Sequence, residues 1–482
     1  MTDRKTIIPI VPVAATATGD DEVMVSLYAS RQKIYPRSVS GLLSRWRWAL
    51  VWITQLVFYG LPWLSWNDRQ AVLFDLEARR FFIFNFVLYP QDFIYLTGLL
   101  VISALALFLF TAVAGRLWCG YACPQTVYTE MFLWIEKQVE GDRSARQRLD
   151  QAPASLNKVG RKSLKHGLWL ALSVWTGFTF VGYFTPIHEL AGLVASLSLG
   201  PWQTFWIAFY GLATYGNAGF LREQVCKYMC PYARFQSAMF DKDTLIVTYD
   251  TTRGEPRGSR GKKVDPKEKG LGSCVDCTLC VQVCPTGIDI RKGLQYECIG
   301  CGACADVCDD VMDKFGYARG LVKYSTQNAM TGGWDKAQII RRALRPRVLI
   351  YTTVLTAIAI AVGVSLYRRV PMKVDVIRDR GALARMVEQG RIENVFRLQI
   401  MNATEAKQVV RLSVEGVEGM DGIVIASEPM VDVLPTEVRT LAVRVQVPPG
   451  ASSGSHPIVF KLQSTTDAAI HLDEKSVFLV PR

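Results

Sequence analysis

Eight cysteines between residues 274 and 308 repeat one spacing twice, and few chains can meet that constraint. The first run is Cys274-x2-Cys277-x2-Cys280-x3-Cys284-Pro285, and the second is Cys298-x2-Cys301-x2-Cys304-x3-Cys308. Three thiolates so closely spaced grip three corners of one cubane iron–sulfur core, while the fourth of each run crosses to the other core. The pattern therefore assigns Cys274, Cys277, Cys280 and Cys308 to one [4Fe–4S] cluster, and Cys298, Cys301, Cys304 and Cys284 to a second. Structural zinc is the competing reading, but zinc ribbons favour two separated C-x2-C pairs over triple runs. Asp309 stands where Pro285 follows the first run, which changes the turn and removes no ligand.

The rest of the chain reads as membrane protein. Half of its 482 residues are hydrophobic and its mean hydropathy is +0.16. Crossing a bilayer core takes about 20 helical residues. Five stretches qualify: 46–66, 93–115, 168–187, 202–221 and 348–366. Phe81–Leu88 is apolar but short, and reads as an interfacial or re-entrant piece. Basic residues flanking the spans set the orientation. Arg31, Lys33, Arg37 and Arg45 precede the first span, Arg161, Lys162 and Lys165 the third, and Arg341, Arg342, Arg345 and Arg347 the fifth. The connection 187–201 carries no Lys or Arg. The N-terminus, 116–166 and 222–346 are thus expected in the cytoplasm, and the C-terminal part in the periplasm of a bacterial inner membrane. This placement accounts for most of the formal charge of +12 and excludes nucleic acid as the partner.

The domain expectations follow. Residues 1–45 form a disordered cytoplasmic tail with no cleavable signal, because Pro9 and Pro12 break its short apolar run. Residues 46–252 are the membrane region, and 253–272 a flexible basic link rich in Gly, Pro and Lys/Arg. Residues 273–346 are an α+β two-cluster ferredoxin-like domain, and 347–367 the fifth span of a five-helix transmembrane bundle. From 370 to 482 the apolar residues alternate, as in Phe396, Leu398 and Ile400 or Val443, Val445 and Val447. Short alternating strands between turn signals predict an all-β immunoglobulin-like sandwich.

The other four cysteines form two C-x3-C-P motifs, Cys119/Cys123-Pro124 and Cys226/Cys230-Pro231. On a helix, i and i+4 place both thiols on one face. Each motif lies just past the cytoplasmic end of a span, so the two pairs share one membrane depth. Four soft thiolates there suit Cu(I). Thiol–disulfide exchange is a second reading, and two unrelated buried pairs a third. Haem is poorly supported, because His166 and His188 fall at opposite ends of one span and no C-x-x-C-H occurs. Met229 and Met239 near the second motif read as core filling.

Five spans, the paired C-x3-C-P motifs, the double cysteine run and the β-sandwich together resemble the CcoG/FixG/RdxA family. Stretches such as 89–98, 118–127 and 298–309 carry the likeness, which covers nearly the whole chain. The resemblance implies an accessory protein for assembly of the cbb3-type cytochrome c oxidase, working with copper chaperones or transporters and oxidase assembly factors. It implies reduction of Cu(II) to Cu(I) at Cys119, Cys123, Cys226 and Cys230, with copper bound transiently. Electrons would come from an unknown cytosolic donor through the clusters. The membrane half also resembles quinol dehydrogenases of periplasmic nitrate reduction, so a quinol-linked carrier is an alternative. A non-catalytic assembly scaffold is another.

Overall fold

The computed structural model describes residues 33–262, 269–379, 384–416, 422–467 and 469–481. Residues 1–32, most of the tail expected to be disordered, lie outside the described residues. Residues 33–40 run extended against the rest of the protein: Lys33 pairs with Asp150 at 2.5 Å, and Arg37 N donates to Gln282 O at 2.8 Å.

Helices occupy all five expected spans, with shifted ends. They are α1 (Leu42–Gly60), α2 (Phe93–Ala114), α5 (Leu156–Val181), α6 (Pro201–Gly216) and α9 (Pro346–Tyr367). Between α2 and α5 lie α3 (Leu117–Tyr121) and α4 (Pro124–Glu140), and α7 (Pro231–Met239) follows α6. Among the described residues, only Pro90–Ala114 and Pro346–Tyr367 are long and apolar enough to cross a membrane by length and composition. The others fall short for local reasons. α5 begins with Lys158, Arg161, Lys162 and Lys165, α1 contains Arg45 and Arg47, and α6 passes into a π turn, Asn217–Leu221.

The helices pack in two groups, α2 with α9, and α5 with α6 and α4. Small residues bring the backbones together. A Cβ on Gly177 would lie 2.3 Å from Ile207 O, and one on Gly98 would lie 2.8 Å from a Val362 methyl. Without a hydrophobic driving force in lipid, close backbone packing of this kind holds helices together.

Phe81–Leu88, expected as an interfacial or re-entrant piece, is β-structure. It supplies most of a three-stranded antiparallel sheet, β1 (Val72–Asp75), β2 (Arg80–Ile83) and β3 (Phe86–Leu88). Leu73, Phe82, Val87 and Tyr89 pack there against Met401 and Ala403 of the C-terminal domain. Phe82 and Val87 are buried against protein, while Phe84 and Phe86 stay exposed.

At the other end of the helices, β4 (Ile246–Tyr249) pairs antiparallel with β5 (Val322–Ser325). Helix α8 (Ala303–Phe315) lies between them in sequence. The cysteine domain therefore begins before residue 273. Of the stretch expected to be a flexible link, 263–268 lie outside the described residues; before them, Arg260 donates to Cys274 O at 3.2 Å and to Gly272 O at 2.7 Å, tying its own segment to the cysteine domain. Asp306 on α8 accepts from Leu43 N at 3.2 Å and Ser44 N at 2.7 Å, capping the N-terminus of α1. Those donors have no partner within their helix, so the cap joins domain to helix.

The C-terminal domain has the expected sandwich. One sheet contains β6 (Met372–Arg378), β7 (Ile392–Asn402) and β10 (Val438–Val447). The other contains β8 (Gln408–Gly416), β9 (Met430–Val433), β11 (Gly454–Ser464) and β12 (His471–Val480). All pairings are antiparallel. Phe396, Leu398, Ile400, Val443 and Val445 face Val410, Ile458, Phe460 and Phe478 in one core. The Phe396 and Phe460 rings meet edge to face with centroids 5.1 Å apart. Each such side chain contributes about 1.5–3 kcal/mol on burial.

Candidate metal centre

The two cysteine runs fold around two cavities. Cys274, Cys277, Cys280 and Cys308 line one, with Tyr249, Leu279 and Arg291. Cys284, Cys298, Cys301 and Cys304 line the other, with Thr286, Ile299 and Ala303, and Cys280 touches both. The crossing of each fourth cysteine thus appears in the geometry. Positive φ at Asp276 (52°), Thr278 (57°), Gly300 (66°) and Gly302 (72°) curls these loops around the cavities.

Burial pushes the Cys280 thiol up to about 11 and those of Cys298 and Cys308 to about 12. Bare thiolates are costly in such a place, and a cationic iron centre removes that cost. Among the described residues, no three His, Cys, Asp or Glu side chains converge as a single metal ion needs. Thiols held apart around a cavity fit a cubane, whose core fills the space between them.

The C-x3-C-P motifs differ from the expected helical pair. In each, the second cysteine follows the end of one helical piece and takes the N-cap position of the next. Cys119 lies on α3, while Cys123 has φ −61° and ψ 128° and precedes Pro124, the first residue of α4. Cys226 lies in a π turn, Val225–Met229, and Cys230 precedes Pro231 at the start of α7. Proline at the first helical position needs no hydrogen-bond partner and continues the helix only forwards. The N–H groups of Gln125 and Thr126 face the Cys123 sulfur and counter the burial that raises its pKa.

The four motif thiols come within electrostatic reach of one another, although among the described residues no three of them converge closely enough for a single ion. Burial drives Cys119 up to about 12 and Cys226 to about 11. Beyond burial, Cys119 feels Cys123 and Cys226, and Cys226 feels Cys123 and Cys230. Gln125 donates to Asn217 O at 3.0 Å and Arg222 O at 3.1 Å, tying the first motif to the approach of the second. The Cys119 thiol donates to Gln236 Oε1 on α7, 3.5 Å away.

This thiol group abuts the second cavity. A Cβ on Gly120 would lie 2.8 Å from Ile299 O and from Cys301 Cα. Only glycine allows this backbone-to-backbone contact. Cys226 lines a small cleft with Pro285, Thr286 and Ile299. Tyr324 donates to Gly300 O at 2.6 Å, and its hydroxyl lies 3.3 Å from that of Tyr121 in the first motif.

Sequence reasoning missed Gly120, Arg116, Asp306 and Tyr324. Gly120 had a faint signal, since the second motif carries Lys227 at the matching place. His166 donates to or accepts from Tyr215 OH at 2.9 Å among aromatic rings, and His188 stands edge-on to Trp63. Neither joins the thiol group.

Comparison with known proteins agrees with this architecture. Residues 221–327 match the family described as 4Fe–4S dicluster domain, and 96–140 that described as 4Fe–4S binding domain. Residues 362–481 match the Ig-like fold at the C-terminus of FixG. The chain is therefore an iron–sulfur electron-transfer protein of the membrane, carrying an Ig-like domain. It is 39% identical over 421 residues to the nitrogen fixation protein FixG of Rhizobium meliloti, covering 81% of this chain and 80% of that one. It is 38% identical over 458 residues to protein RdxA of Cereibacter sphaeroides, covering 93% and 95%. The chain belongs to the FixG/RdxA family. A more distant likeness, 22% over 233 residues, is to the ferredoxin-type protein NapH of Haemophilus influenzae, covering 45% of this chain and 68% of that one.

Proposed function

We propose that this protein reduces Cu(II) to Cu(I) at the C-x3-C-P thiols and supplies the product to assembly of a cbb3-type oxidase. Cys274, Cys277, Cys280 and Cys308 hold one [4Fe–4S] cluster, and Cys284, Cys298, Cys301 and Cys304 the other. When bound, each cluster stores and releases one electron at low potential. Cys119, Cys123, Cys226 and Cys230 take Cu(II) as substrate, accept one electron for it, and hold Cu(I) until a copper carrier removes it. Soft sulfur ligands stabilise the product ion over the reactant, which favours the step. All five long helices cross the inner membrane, with the cysteine domain in the cytoplasm and the β-sandwich in the periplasm. A cytosolic one-electron donor supplies the clusters.

The observation that carries this reading is the contact of Gly120 with the backbone at Ile299 and Cys301. At that point the first motif and the loop of the second cavity lie too close for even a Cβ between them. The test is anaerobic reduction of the protein, then mixing with Cu(II) and a Cu(I)-specific chromogenic chelator. Changing all four motif cysteines to Ser leaves hard oxygens that grip Cu(I) poorly. That variant is expected to keep about eight irons, four per cluster, and to lose most Cu(II) reduction. Reduction at the parent rate would overturn the reading.

One observation favours a second reading. The match to a 4Fe–4S binding domain over 96–140 contains Cys119 and Cys123 as its only cysteines. A third cluster held by the four motif thiols would raise the iron content to about twelve, and the quadruple variant would return it to about eight.

A further inference from the structure

Two arginines stand near the two cluster sites, Arg291 half-buried in the first cavity and Arg116 buried against the loop that carries Cys298 and Cys301, and their charges are compensated differently. Arg291 lines the first cavity, but its charge is spent on carboxylates. Its Nε lies 2.8 Å from Asp289, and it also pairs with Asp276. Arg116 is only 6% exposed. Its two Nη atoms donate to the carbonyls of Tyr296 and Ala233, which carry no charge, and its Nε has no partner among the described residues. Tyr296 lies two residues before Cys298, and Ala233 three residues after Cys230. The Arg116 backbone touches Gly300, where a Cβ would lie 3.2 Å away. Its guanidinium acts electrostatically on Cys298, Cys119 and Cys226 alike. A third arginine, Arg47, reaches Cys301 but pairs with Glu130 at 3.2 Å.

A buried cation without a counter-ion is costly unless an anion shares its pocket. Thiolate-ligated clusters are anionic and gain one negative charge on reduction, and nearby charge sets their potential. Burial alone works the other way, because desolvation disfavours the more highly charged reduced state. Each set has one buried cysteine, Cys274 and Cys301, and Cys277 of the first set is exposed, so the charge of Arg116 has to outweigh the extra burial of the second set.

We propose that Arg116 makes the membrane-side cluster the higher-potential one of the pair, so that electrons entering near Cys277 run inward towards the C-x3-C-P thiols. The inference rests on the two-cluster reading above. The transfer balances: the cluster of Cys274, Cys277, Cys280 and Cys308 loses the one electron that the cluster of Cys284, Cys298, Cys301 and Cys304 gains. Arg116 stabilises the added negative charge, and the cytosolic donor restores the first cluster. Arg116 transfers nothing itself; it sets the direction.

The test is a redox titration of the intact protein followed by EPR. The signal of the first cluster is assigned by its change in C277S. In the parent, the second cluster is expected to be reduced first. R116Q is expected to lower its midpoint potential and leave the first cluster unmoved, while R116K restores most of the difference by keeping the charge. An unmoved second cluster in R116Q, or equal shifts of both, would overturn the proposal. Should R116Q fail to hold its iron, the order in the parent decides alone, and a first cluster reduced ahead of the second overturns it. A parent with far fewer than eight irons would instead sink the cluster reading beneath it.

Discussion

At the scale of single residues, Gly120 bears most directly on function. A side chain there meets backbone atoms of Ile299 and Cys301, which cannot swing aside as a flexible side chain would. Gly120→Val is expected to push the first motif away from the second cavity at a stability cost of about 1–3 kcal/mol. The clusters should still reduce, and copper reduction should slow at least tenfold, read in the chelator assay with iron content as the control. A variant as fast as the parent would show that the contact does not carry the transfer. The grouping of the cysteines around two cavities was legible in the sequence, because the first three of each run are close in the chain and line one cavity while the fourth lines the other. Arg116 and Asp306 were not. Nothing beside them in the chain marks one as a buried unpaired cation and the other as a cap for α1.

At the scale of elements, alternation in the C-terminal part read correctly, since successive strand residues point to opposite faces. Phe396, Leu398 and Ile400 are wholly buried, as that pattern requires. The spans read correctly as helices but with displaced ends. Hydropathy marks the apolar stretch and is blind to the charged turns that extend α5 back to Leu156. The C-x3-C-P motifs were misread as continuous helix, although Pro124 and Pro231 were visible signs of a new helix start. The crossing of α5 and α6 depends on Gly177 and Gly211. A Cβ on Gly211 would lie 3.3 Å from Ser173 O. Gly177→Leu is expected to separate these helices, and with them the two thiol pairs that α4 and the turns after α6 hold together. Cross-linking between α5 and α6, and bound copper per chain, should both fall. Normal copper loading in a protein whose α5–α6 cross-link is lost would break that connection.

At the scale of the whole molecule, two ends are locked in different ways. Asp92, 3% exposed at the start of α2, pairs with Arg369 at 2.6 Å and with Lys373, just beyond α9. Tyr89 OH donates to Asn402 O at 2.8 Å, and Arg69 pairs with Glu405 at 2.5 Å. The sandwich is thereby held against the small sheet of β1–β3. Removing one partner of a buried ion pair costs about 3–5 kcal/mol. Asp92→Asn is expected to loosen the sandwich, seen as faster proteolytic release of a C-terminal fragment while iron content stays unchanged. Orientation is tested separately. Alkaline phosphatase, active only in the periplasm, should work when fused after residue 195 or 400 and be silent after 150 or 320. Activity at 320 would reverse the proposed arrangement.

The sequence by itself determined the donor chemistry, the pairing of each fourth cysteine with the opposite run, the β-sandwich and the two most apolar helices. All of these are written in spacings or periods short enough for neighbouring residues to express. The tertiary structure alone decided that the motif thiols come within electrostatic reach of one another and that the first motif abuts the loop of the second cavity. It also decided that Phe81–Leu88 becomes sheet and that Arg260, within the expected linker, bonds to the backbone at Cys274. Those outcomes depend on tertiary contacts, across about a hundred residues or more for the two motifs and across 14 for Arg260 and Cys274, or on whether an apolar surface finds protein to cover it. No local pattern carries that information, because the same glycine, arginine or apolar octet reads alike until its distant neighbour is in place.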